Sequence, residues 1–98
     1  MLLHTVSQSP TAGPALSSCL RAATPGSHIL LLEDGVYAGH RLSDTSTALT
    51  SSGCSVHAIR ADVEARGLAE RMATGIQLID YADFVELAAS CQAVQSWY

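Results

Sequence analysis

The chain has 98 residues, enough for one hydrophobic core and too few for two, so residues 1–98 are read as a single domain. Its 5 basic residues are all arginines, and against 9 acidic residues they leave a formal charge of -4, which argues against a basic footprint for gripping nucleic-acid phosphates directly. With 48% hydrophobic and only 14% charged residues, the chain has apolar surface to spare, as expected of a subunit partly covered by partners.

Leu2, Leu3 and Val6 around His4 and Thr5 predict a first short strand. Met1-Leu2-Leu3-His4 has neither the basic start nor the apolar length of a signal peptide, so a cytoplasmic location is expected. Ser7–Gly13, with Ser9-Pro10 inside it, breaks regular structure. Pro14 suits the first turn of a helix running to about Ala23, in which Leu16, Cys19, Leu20 and Ala23 recur at i, i+3, i+4 and i+7. Pro25-Gly26 ends it.

His28–Glu33 is a nearly continuous aliphatic run, the pattern of a strand buried on both faces of a parallel sheet. Its fully aliphatic core, Ile29–Leu32, is four residues long and far below the length of a membrane span. Glu33-Asp34-Gly35 closes the strand, and Val36, Tyr37 and Ala38 are read as the start of a short helix. From Arg41 to Gly53, seven of thirteen residues are Ser or Thr, which predicts a mobile surface segment with at most a weak helix around Ala48 and Leu49. Cys54–Ile59 reads as a third strand, Asp62–Arg66 before Gly67 as a short helix, and Ile76–Ile79 as a fourth strand. Asp80 and Asp83 cap a last helix whose apolar face is Phe84, Leu87, Ala88 and Cys91, and Val94–Tyr98 is a terminal edge strand.

Alternating strands and helices predict an α/β fold with a mainly parallel sheet, whose function gathers at the carboxyl ends of the strands. Those ends carry no G-x-G-x-x-G, no P-loop lysine and no Gly-x-Ser-x-Gly elbow, so nucleotide binding and serine hydrolysis are set aside. His4, His28, His40 and His57 sit singly, with no i, i+4 pair to ligate a metal. The adjacent acids Glu33 and Asp34 point different ways from an extended chain and suit capping or solvation better than paired acid–base work. Cys19, Cys54 and Cys91 are 35 and 37 residues apart, matching no zinc or C-x-x-C spacing, and are expected to stay thiols. Cys19 leaves two readings open. Its helical neighbours suit packing under the chain's own sheet, where a thiol is inert, and equally suit a helix under a neighbouring subunit, where Arg21 would favour a thiolate.

In order and spacing the chain resembles the DsrH/TusB family over nearly its whole length. The matching pieces are Leu3-His4-Thr5-Val6 followed by Ser9-Pro10; Ser18-Cys19-Leu20-Arg21; Leu31 through Ala38; Asp62 with Ala65-Arg66-Gly67-Leu68; Ile79-Asp80-Tyr81 with Phe84-Val85; and Val94 with Ser96-Trp97. The resemblance implies a DsrE/F/H-like three-layer α/β/α sandwich on a five-stranded, mainly parallel sheet. It implies a heterohexamer with DsrE/TusD-like and DsrF/TusC-like subunits, relaying persulfide sulfur to a DsrC/TusE-like acceptor without cofactor or metal. The pathway it implies first is 2-thiolation of the tRNA wobble uridine, with dissimilatory sulfur oxidation as the alternative. Cys19 falls where DsrH-type members carry a cysteine and some TusB members carry none, which makes it the candidate persulfide carrier. Since the principal persulfide cysteine of the complex belongs to the DsrE/TusD-like subunit, a noncatalytic assembly role is the rival expectation. The Ser/Thr-rich 43–52 segment departs from the family pattern.

Overall fold

A computed structural model describes residues 1–98 and contains five strands, β1 (Leu2–Val6), β2 (His28–Leu31), β3 (Ser55–Ile59), β4 (Ile76–Ile79) and β5 (Ala93–Trp97). Four helices join them: α1 (Ala15–Ala22), α2 (Asp44–Thr50), α3 (Arg60–Ala65) and α4 (Tyr81–Ser90), with a 3-10 segment at Glu33–Gly39. The sheet order is β4-β3-β2-β1-β5, and every neighbouring pair is parallel. The sheet is thus wholly parallel, with β5 at an edge as its sequence suggests.

Alternation along the strands divides the core in two. On one face Val6, Ile29, Leu31, Val56 and Ala58 pack against Leu16 and Cys19 of α1, Val36 and Ala38 of the 3-10 segment, Leu49 of α2 and Val63 of α3. On the other, Leu3, Leu30, Ile59 and Ile79 meet Phe84, Leu87 and Ala88 of α4 alone. The two-sided burial of β2 explains its unbroken aliphatic run, since Ile29, Leu30 and Leu31 all have no exposed surface.

Several boundaries shift. Strand β2 stops at Leu31, and Glu33 already starts the 3-10 segment with φ of 49°, held there by its N–H donating to Asp62 Oδ2 at 2.8 Å. Helix α3 starts at Arg60, two residues before its expected Asp62. The largest correction is the Ser/Thr-rich stretch, which forms α2, with Ser46 and Leu49 buried. Its hydroxyls stay bonded to backbone instead of competing with the helix. The Ser43 hydroxyl caps the Ser46 N–H, Thr45 Oγ1 donates to the Ala38 carbonyl at 2.7 Å, and Thr50 Oγ1 donates to the Ser46 carbonyl at 3.0 Å. At α4 the capping box is complete, with Asp80 and Asp83 side chains each accepting from the other's backbone N–H.

Candidate functional site

The three thiols are free and lie in three different surroundings. Helix α1 presents Ala15, Leu16 and Cys19 to the sheet, leaving Cys19 with no exposed surface. Burial, with a smaller contribution from the Cys54 thiol, pushes the Cys19 pKa up to about 11. At neutral pH such a cysteine is almost entirely thiol, whereas attack on a persulfide sulfur needs thiolate. Arg21, expected beside it as an electrostatic aid, is exposed and does not offset the burial. A groove of about 290 Å³ does run between α1 and α2, bounded by Pro10, Leu16, Leu20 and Ala48, but Cys19 is not on its wall. Cys54 is partly exposed just before β3, its Sγ donating to the Thr24 carbonyl at 3.5 Å. Cys91 is the C-cap residue of α4 and packs, partly exposed, against the smaller core cluster.

The carboxyl ends of β2 and β3 carry a polar cluster whose members bind one another. Arg66 Nε donates to Asp34 Oδ1 at 3.0 Å and its guanidinium also donates to the Asp62 carbonyl at 3.1 Å, while Asp62 receives the Glu33 N–H. Glu33 and Asp34 are both exposed, so the pair serves as loop scaffolding, in keeping with the capping and solvated roles expected of it.

The histidines do not all sit singly. The β2–β3 register places His28 opposite Ser55, which brings it diagonally beside His57, and His28 Nδ1 lies 3.0 Å from His57 Nε2 with the rings stacked at 27°. Neither a helical period nor a ligand spacing encodes this pair, because it depends on strand register. His57 is buried and its Nδ1 has no partner. Burial first, then the neighbouring His28, lowers its pKa, and the Gln77 carboxamide opposes this in part. His4 is buried too, with Trp97 Nε1 donating to its Nδ1 at 3.1 Å, and burial lowers its pKa as well. No cluster of three His, Cys, Asp or Glu side chains is placed to hold a metal ion.

The two depressed histidines carry a stability consequence. Below the ordinary histidine value of 6.5, the unfolded chain takes up protons that folded His57 and His4 refuse. Their contribution is therefore intact above that value and is lost as pH falls below it. The urea midpoint is expected to be lower at about pH 5 than at about pH 7.5, with His57→Gln losing less than the wild type over the same interval. Equal acid losses in both proteins would contradict this assignment.

Comparison with known proteins agrees with this architecture. The profile described as DsrH like protein matches residues 8–94. The chain is similar to Protein TusB of Sodalis glossinidius (strain morsitans), 40% identical over 96 residues, covering 98% of this chain and 100% of that protein. It is likewise similar to Protein TusB of Pectobacterium parmentieri, 35% identical with the same coverage. Among solved structures, the ychN protein from E. coli superposes with a TM-score of 0.84 across 98% of this chain and 97% of that one, at 16% identity, which speaks for the fold.

Proposed function

The chain belongs to the DsrH/TusB family, and from that premise we propose that it is a noncarrier subunit of a cytoplasmic sulfur-relay complex, supplying fold and contact surface instead of a persulfide cysteine. The observation that carries this reading is the position of Cys19, sealed in the chain's own core with its thiol held protonated. Of the two burials open to α1, packing on its own sheet accounts for Leu16 and Cys19 without invoking a neighbour. The partners are those the family resemblance implies, DsrE/TusD-like and DsrF/TusC-like subunits in a heterohexamer, with a DsrC/TusE-like acceptor downstream. Similarity to proteins named TusB favours the tRNA 2-thiolation branch over dissimilatory sulfur oxidation. No helix is long and apolar enough to cross a membrane.

A carrier role for Cys19 is the competing proposal, and it requires α1 to lift from the sheet so that the thiolate can form and meet a donor. Exposure of the native chain to a small persulfide donor, followed by intact and peptide mass measurement, separates the two. The noncarrier reading expects sulfur on the partly exposed Cys54 or Cys91, or none, and on Cys19 only after unfolding. Rapid gain of one sulfur on Cys19 in the folded chain, absent in Cys19→Ser, would overturn it.

A further inference from the structure

Helix α4 covers the second face of the sheet by itself, yet none of its residues is buried. Phe84, Leu87 and Ala88 turn toward the strands, while Tyr81 and Val85, one turn apart on the outer side, are 53% and 66% exposed. The charge around them is one-sided. Residues 72–98 contain Asp80, Asp83 and Glu86 and no Arg, Lys or His, all five arginines lying between positions 21 and 71. The one ion pair of the fold, Arg66 with Asp34, lies elsewhere, and the nearest arginine, Arg60, spends its guanidinium on the Leu78 carbonyl at 3.1 Å, so no carboxylate of this helix is ion-paired. Asp80 and Asp83 are engaged in the capping box, but Glu86 is exposed and unpaired. Beside the helix a cleft of about 220 Å³ opens toward β3 and β4, bounded by Gln77, Asp83, Leu87 and buried His57, whose Nδ1 lacks a partner.

A merely solvated helix face explains Glu86. It does not explain two large apolar side chains exposed one turn apart beside an unpaired carboxylate. We propose that the outer face of α4 is the docking surface for a protein partner whose contacting segment carries Arg or Lys among apolar side chains. The apolar groups cover Tyr81 and Val85, and the cations meet Glu86 and the outward side of Asp83. Such a contact gains attraction from the exposed acids and weakens with salt. It rests on the reading of the chain as a subunit of the relay complex and names the surface through which it joins.

The test is made on the complex, by coexpressing the full chain with the DsrE/TusD-like and DsrF/TusC-like subunits and following assembly by native mass spectrometry and sedimentation at low and high salt. Wild type is expected to assemble, more tightly at low salt. Val85→Asp and Glu86→Arg are expected to weaken assembly at least tenfold with the circular-dichroism spectrum and melting of the isolated chain unchanged. Leu42→Asp, at a residue 81% exposed on the α2 side of the molecule, serves as the control and is expected to assemble normally. Wild-type assembly by both α4 variants overturns the docking surface alone. Failure of the wild-type chain to assemble at all overturns the subunit reading and the surface with it.

Discussion

Gly35→Ala is expected to be the most damaging single methyl group that can be added to this chain. A Cβ at position 35 would lie 2.0 Å from the Val6 carbonyl oxygen, which already accepts the Leu32 N–H at 3.1 Å. The obstacle is backbone on backbone, at the point where the 3-10 segment passes over the end of β1, so no side-chain rotation relieves it. Either the 33–35 loop or the end of a central strand must move, and the cost is expected to exceed about 3 kcal/mol, a large share of the roughly 5–15 kcal/mol that holds a domain together. Gly67→Ala supplies the contrast, because that position has φ of 69° and open space around the added carbon. It should cost only about 1–2 kcal/mol of backbone strain. Urea unfolding of the two variants measures the difference. Gly35→Ala within about 0.5 kcal/mol of wild type would show that the approach of these segments is looser than described.

Leu31→Ala is the second large effect. Leu31 is fully buried on central strand β2 and belongs to the cluster shared by α1, the 3-10 segment, α2 and α3. Truncation there removes transfer energy and leaves a cavity that a parallel strand held on both sides cannot close, so a loss of roughly 3–5 kcal/mol is expected. Leu42→Ala, at an exposed residue, should fall within about 0.5 kcal/mol of wild type. Comparable losses from the two substitutions would contradict the placement of the core.

The fold was legible wherever burial leaves a periodic trace. Ile29, Leu30 and Leu31 announce a central parallel strand, Leu16 and Cys19 an amphipathic helix, and Asp80 with Asp83 a capped one. Helix α2 left almost no trace, because one leucine, Leu49, anchors it and its remaining stabilisation comes from hydroxyl-to-backbone bonds that composition counts as loop character. The candidate site was legible only in part. Periodicity puts Cys19 on an apolar face but is the same whether that face meets its own sheet or a partner, and only the packing of α1 over β1 and β5 bears on the difference. The His28–His57 pair needs the register of two strands, which no local pattern supplies.

The proposed noncarrier role rests on the burial of Cys19, which pushes its pKa up to about 11 and so disfavours the thiolate that attack on a persulfide needs. Replacing it by a residue of similar size and no sulfur should therefore leave the relay intact. The direct measurement is the rate of persulfide transfer to the DsrC/TusE-like acceptor by the reconstituted complex carrying Cys19→Ala in this subunit, at matched assembly. The noncarrier account predicts a rate indistinguishable from wild type, apart from any loss of thermal stability caused by the small cavity. A rate reduced tenfold or more in a fully assembled complex would contradict it and establish Cys19 as a sulfur carrier.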